Sequence, residues 1–213
     1  MRTRVKICGI TRPEHAVAAA TAGADAIGLV FHRPSERFVD IERARDIAAA
    51  VGPLISRVAV FVNPARSTVE ELLARVPIEL LQFHGEEDAA FCGSFGRPWI
   101  KAARVAPGLD LVDYLSGFND AAGWLFDTWR GDAYGGTGES FDWSVIPRSM
   151  RRPLILSGGL TIDTVGEAIA RVRPWAIDVS SGVEIAKGDK SPALIEQFME
   201  TVRRADACRQ GSA

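Results

Sequence analysis

Residues 154–182 read LILSGGLTIDTVGEAIARVRPWAIDVSSG, and the fold turns on them. An apolar run, Leu154–Ser157, leads into a glycine pair, Gly158-Gly159. An amphipathic stretch over Thr161–Arg171 follows, and a second apolar run, Ala176–Val179, ends in Ser180-Ser181-Gly182. Leu154–Leu156 is apolar on both faces, as a parallel strand is when helices cover its sheet. Strand, loop, helix and strand fit within about 30 residues, the length of a βαβ unit.

The same alternation fills the rest of the chain. Strands are expected at Val5–Cys8, Ala26–Val30, Val58–Val62, Leu80–Phe83, Ile100–Ala103, Trp124–Asp127, Leu154–Ser157 and Ala176–Val179. Helices are expected at Arg12–Ala22, Ile41–Ala50, Thr68–Arg75, Thr161–Arg171 and Pro192–Ala205, with fainter signals around Glu87–Phe91 and Trp143–Ile146. Pro13 suits the first turn of a helix opened by Thr11, and Ser67 with Glu70 fits a capping box. Gly23 and Gly52 fall where helix ends need a left-handed residue. Eight units in 213 residues is about 27 residues each, close to the ~30 of a βαβ unit. Neither a linker nor a composition shift marks a second domain. The expectation is an α/β protein, a (β/α)8 TIM barrel forming one domain over 1–213, with a frayed tail over 206–213. An open doubly wound sheet would bring a glycine fingerprint after its first strand. Gly9-Ile10-Thr11-Arg12-Pro13 is not one.

Composition narrows the function. A 47% hydrophobic, 24% charged chain is that of a globular protein and excludes a disordered one. A net charge of -2 gives no electrostatic footprint for nucleic acid or for an anionic membrane. Any anionic ligand must then be held by a local site. Cys8, Cys92 and Cys208 are too few and too scattered for a disulfide framework or a zinc site. His15, His32 and His84 show no metal-binding spacing. No segment approaches the ~20 apolar residues of a membrane span, and Met1–Thr11 lacks the apolar run of a signal peptide. A cytoplasmic protein without metal or cofactor is expected.

Active sites of such barrels form at the C-terminal ends of the strands. Strand side chains alternate, so Lys6 and Cys8 share the barrel face, as do Gln82 and His84, Leu125 and Asp127, and Asp178 and Ser180. Polar groups buried without partners cost ~1–3 kcal/mol each, which suits a ligand-filled mouth better than a packed core. The loops Ser157-Gly158-Gly159 and Ser180-Ser181-Gly182 follow strands seven and eight, where barrels often hold a phosphate. Either glycine loop alone would read as a tight turn. A third, Gly135-Gly136-Thr137-Gly138, follows strand six. Gly188-Asp189-Lys190-Ser191 is no P-loop, because Asp189 interrupts the Gly-Lys-Ser/Thr order.

Together these segments make the chain resemble the phosphoribosylanthranilate isomerase family of tryptophan biosynthesis. The resemblance is carried by Lys6-Ile7-Cys8-Gly9-Ile10-Thr11, Ser35-Glu36-Arg37-Phe38-Val39, Val60-Phe61-Val62-Asn63 and Leu81-Gln82-Phe83-His84-Gly85. It continues through Asp127, Gly135–Gly138, Phe141-Asp142-Trp143, Ser157–Leu160 and Asp178–Glu184, in order from Lys6 to about Lys190. Ser157 and Ser191 depart from the usual Ala and Asp. The family rearranges N-(5-phosphoribosyl)anthranilate to its 1-deoxyribulose isomer. An acid opens the furanose ring to a Schiff base, and a base removes the C2 proton to give an enolamine that tautomerises to the ketone.

By this resemblance Cys8 is the general base and Asp127 the general acid. Arg37 holds the anthranilate carboxylate, with neighbouring Arg33 as the alternative. Lys6, Gln82, His84 and Asp178 would shape the substrate pocket, and Lys6 would lend positive charge to Cys8. Phosphate would lie on Gly136, Gly138, Gly158, Gly159, Ser180, Ser181 and Gly182. Cys92 and Cys208 read as structural or incidental. The partner is a small phosphoribosyl substrate, and monomer or homodimer stays open. Two other readings compete. One is another phosphosugar isomerase or epimerase barrel, which would bring metal-binding histidines or a second aspartate at strand one. The other is a non-catalytic phosphosugar-binding barrel, which would lack Cys8 or Asp127.

Overall fold

Strand β1 (Arg4–Cys8) lies parallel between β2 (Ala26–Val30) and β8 (Ala176–Val179), and this pairing of first with last strand closes the sheet. Between them run β3 (Ser56–Phe61), β4 (Leu80–Phe83), β5 (Trp99–Val105), β6 (Gly123–Thr128) and β7 (Leu154–Leu156), each parallel to its neighbours. The eight form the expected closed barrel in sequence order. The computed structural model describes residues 2–106, 108–128, 142–147 and 152–211. Helices α1 (Pro13–Thr21), α2 (Ile41–Ala50), α3 (Arg66–Arg75), α4 (Ala89–Gly93), α5 (Leu111–Ser116), α6 (Val165–Val172) and α7 (Pro192–Gly211) lie outside the strands. A short antiparallel hairpin, β9 (Glu184–Ala186) with β10 (Asp189–Lys190), follows β8.

Alternation along the strands produces two apolar layers. Val5, Ile7, Ile27, Leu29, Phe61, Phe83, Phe126 and Ile177 point outward and pack with helix residues such as Ala16, Ile47, Leu72, Ile169 and Phe198. Ile100, Ala102, Leu125, Ile155 and Ala176 fill the lower barrel interior, with Leu80 against them. Above that plug the inward positions turn polar, at Lys6, Gln82, Asp127 and Asp178, all buried. The side-chain period of two fixes this division.

Several local expectations needed correction. α5 carried no recognised signal; Asp110 caps it, accepting from Val112 N and Asp113 N. Pro13 does open α1, but Arg12 is its cap residue, and the Thr11 hydroxyl donates to Gly188 O at 2.5 Å instead. α3 begins at Arg66 behind Ala65, with no side-chain cap, so Ser67 and Glu70 make no capping box. Gly23 is left-handed at φ +92, whereas α2 ends in extended Val51 and Gly52 is not left-handed. The left-handed end falls on Arg173 (φ 53) after α6, where the following Pro174 prevents further helix. α6 starts at Val165 rather than Thr161, and α7 continues past Ala205 to Gly211.

Two outward positions are charged and buried, Arg57 on β3 and Lys101 on β5. Lys101 on β5 is fully buried and donates to Gly85 O (2.7 Å), Glu87 O (2.9 Å) and Glu87 Oε2 (2.9 Å). Glu87 in turn accepts from Asn63 N (2.7 Å) and Gly85 N (2.9 Å). The pair ties the loops after β3 and β4 to the back of β5. Lys101→Met would strand a buried carboxylate, and such breaks cost about 3–5 kcal/mol. Urea unfolding is expected to show that loss; a change below about 1 kcal/mol, the range of exposed pairs, would make the interaction incidental.

Candidate active site

Register sets the first part of the site. Closure of the barrel places Lys6 opposite Asp178, and Lys6 Nζ donates to Asp178 Oδ1 at 2.8 Å. Cys8 follows two residues along β1, opposite Gly28 of β2. A Cβ on Gly28 would lie 2.7 Å from Cys8 Sγ and 3.1 Å from Lys6 Cε, so the glycine makes room for both side chains. Burial disfavours the Lys6 charge, but Asp178 and Cys8 outweigh it and the ammonium is held above its ordinary pKa. For Cys8, burial raises the thiol, Asp178 adds to the rise, and Lys6 opposes it without prevailing. Lys6 therefore lends Cys8 less charge than the sequence suggested, because Asp178 already neutralises it. Burial and the neighbouring Asp127 also raise Asp178, against the pull of Lys6.

Asp127 lies at the end of β6, 4% exposed, with Oδ1 accepting from Thr128 N at 2.9 Å. Its Oδ2 is 3.4 Å from His84 Nε2, without hydrogen-bond alignment. His84 Nδ1 is 3.4 Å from Gln82 Nε2, so Gln82, His84 and Asp127 form a row across the mouth. The buried Gln82 Oε1 has no hydrogen-bond partner among the described residues. Gly158 backs this row: at φ +86, a Cβ there would collide with Thr128 and come 3.0 Å from Asp127 Oδ1.

Arg37 makes an ion pair that the sequence did not disclose. Its Nε and Nη2 donate to Glu184 Oε1 (2.8 Å) and Oε2 (2.6 Å). Burial opposes the Arg37 charge, but Glu184 more than offsets it and the guanidinium pKa rises. Lys190 Nζ also reaches Glu184 Oε1, at 2.5 Å. Neither Glu184 nor Lys190 had been assigned a role, and no periodicity could have paired them with Arg37. Arg33 turns to the Phe38 ring, 5.3 Å from its centroid.

The glycine loops after β7 and β8 are pressed together, for a Cβ on Gly182 would overlap Leu160 O. Gly158 and Gly159 are both left-handed, and Ser181-Gly182-Val183 forms one turn of 3-10 helix after Ser180. Gly136 and Gly138 lie outside the described residues. The structure thus brings Lys6, Cys8, Gln82, His84, Asp127 and Asp178 to one end of the barrel, with Arg37 and both loops on its rim. Cys92 is buried elsewhere, its thiol pushed up to about 12 by burial, and Cys208 is exposed. Among the described residues no group of His, Cys, Asp or Glu is arranged to hold a metal ion. No helix among them is long and apolar enough to cross a membrane. An open groove of about 530 Å³ lined by Arg75, Pro77, Glu79 and Arg97 precedes β4 and β5 at the opposite end, and contains none of these side chains.

Comparison with known proteins agrees with this geometry. The family model for N-(5'phosphoribosyl)anthranilate (PRA) isomerase matches residues 5–201. The N-(5'-phosphoribosyl)anthranilate isomerase of Dechloromonas aromatica is 51% identical over 206 residues, spanning 97% of this chain and 99% of that protein. The crystal structure of the Thermotoga maritima phosphoribosyl anthranilate isomerase superposes with a TM-score of 0.87 at 40% identity, covering 95% of this chain and 99% of that one. A phosphoribosyl anthranilate isomerase in complex with reduced 1-(o-carboxyphenylamino)-1-deoxyribulose 5-phosphate superposes with a TM-score of 0.84 at 38% identity, with coverage of 95% and 99%.

Proposed function

The chain belongs to the N-(5'-phosphoribosyl)anthranilate isomerase family, and from that premise we propose that Cys8 and Asp127 carry out the isomerisation at this barrel mouth. The protein is an isomerase of tryptophan biosynthesis acting on N-(5'-phosphoribosyl)anthranilate. The observation supporting the assignment is the convergence of one thiol and one carboxyl on inward positions at the C-terminal ends of β1 and β6. Of the nearby carboxylates, Asp178 is committed to Lys6 and Glu184 to Arg37.

In this reading Asp127 donates a proton to the furanose ring oxygen, and the ring opens to the Schiff base. Cys8, as thiolate, then removes the C2 proton, and the resulting enolamine tautomerises to the ketone. Lys6 holds Asp178 at the edge of the pocket, and Gln82 orients the His84 ring beside the acid. Phosphate lies on Gly158, Gly159, Ser180, Ser181 and Gly182, whose loops meet after β7 and β8. Purified protein mixed with freshly generated phosphoribosylanthranilate is expected to abolish the fluorescence of that substrate. An unchanged signal would rule the activity out.

Arg37 binds the anthranilate carboxylate. Its Nη1 group and the second proton of Nη2 have no protein acceptor among the described residues, and that edge matches a carboxylate. Arg37→Ala is expected to raise KM by about ten- to a hundredfold, the loss of charged hydrogen bonds, while inhibition by inorganic phosphate stays unchanged. Phosphate weakened as much as substrate would move Arg37 to the other end of the ligand.

A further inference from the structure

Arg37 and Ser180 belong to opposite ends of the proposed ligand, yet a single buried carboxylate connects them. The Glu184 side chain is 4% exposed, and both its oxygens are occupied. Oε2 accepts from Arg37 Nη2, and Oε1 accepts from Arg37 Nε, Lys190 Nζ and, at 3.3 Å, Gly188 N. The Lys190 side chain has no exposed surface and donates onward to Ser180 O and Ser180 Oγ, both at 3.1 Å. Isolated buried charges are strongly unfavourable. One anion therefore fixes two cations, and each cation holds a different rim loop.

The charges are placed where they matter. Glu184 engages the Nε edge of Arg37, which fixes the guanidinium plane and leaves Nη1 without a protein acceptor among the described residues. Lys190 clamps Ser180 where β8 leaves the barrel, at the start of the 3-10 turn. The hairpin of β9 and β10 carries both residues, and Lys190 is the cross-strand partner of Glu184.

We propose that Glu184 is a positioning residue for both ends of the substrate, setting the Arg37 fork directly and the Ser180 loop through Lys190. The inference rests on the reading of Arg37 and Ser180 given above. It makes carboxylate and phosphate recognition depend on one shared residue, although the two groups lie on separate loops.

The test uses the full chain and two competitive probes, anthranilate for the carboxylate end and inorganic phosphate for the other. Glu184→Gln is expected to weaken both about tenfold or more, the scale of one charged hydrogen bond. Lys190→Met is expected to weaken phosphate and leave anthranilate unchanged. Adding Glu184→Gln to Arg37→Ala should cost no further anthranilate affinity, because Glu184 acts on that end only through Arg37; phosphate should still weaken. Additive loss of anthranilate in the double variant overturns the proposal, as does a Glu184→Gln protein that weakens one probe or neither. If Glu184→Gln does not fold, Lys190→Met decides, since unchanged phosphate inhibition there removes the link to Ser180. Unchanged anthranilate inhibition in Arg37→Ala overturns the earlier reading of Arg37 and the proposal with it. Loss in Arg37→Ala without loss in Glu184→Gln overturns the proposal alone.

Discussion

Cys8→Ser is expected to give a folded protein whose turnover falls by about 10²–10⁴-fold, the cost of removing a general base. The substitution is nearly isosteric, and Gly28 leaves space around the side chain. The chemistry changes sharply, because a serine hydroxyl does not ionise near neutral pH while a thiol does at ~8.5. Lys6 cannot rescue the hydroxyl, since its charge is already paired with Asp178 at 2.8 Å. A pH profile supplies a second check. Burial and Asp178 raise the Cys8 thiol above its ordinary range, with Lys6 only partly opposing them. The base form is thiolate, so kcat/KM, which reports the free enzyme, should climb with pH through a limb displaced above the ordinary thiol range. Near-normal turnover in Cys8→Ser would reduce the thiol to packing, and a limb below the ordinary thiol value would reverse the balance of charges argued here.

Asp127→Asn is expected to lower kcat and kcat/KM together by about 10²–10⁴-fold while product still binds. The amide oxygen can keep the bond from Thr128 N, so the end of β6 should hold its shape. What is lost is the proton for the ring oxygen. Ring opening should then limit the rate, and the lost interaction exists only in the transition state. If KM rose with kcat unchanged, Asp127 would be a binding residue. Asp178 would be the next acid to test, although its pairing with Lys6 stands against it.

The strands were legible because each is an apolar run bounded by polar loops, and a buried parallel sheet requires that pattern whatever surrounds it. The structure lengthened β5 to Trp99–Val105 and shifted β3 to Ser56–Phe61 without changing their order. Helix α5 was illegible because six residues give no periodicity to read, and its cap, Asp110, resembles any loop aspartate. The supposed cap at Ser67 failed because the chain enters α3 two residues too early, which puts Ser67 inside the helix rather than at its cap. Left-handed Arg173 escaped notice because nothing in its type favours that conformation.

Sequence alone determined the barrel order and the inward side of Lys6, Cys8, Gln82, Asp127 and Asp178, which follow from a strand period of two and from short loops, both local properties. The resemblance of its motifs, such as Lys6–Thr11 and Asp178–Glu184, pointed to the family. Tertiary structure alone decided who pairs with whom. Lys6 meets Asp178 across 172 residues because β8 closes against β1. Arg37 meets Glu184 across 147 because the β9–β10 hairpin that follows β8 lies beside the loop after β2. Charge pairing depends on distance in space and on burial, and neither is written in the residues flanking either partner.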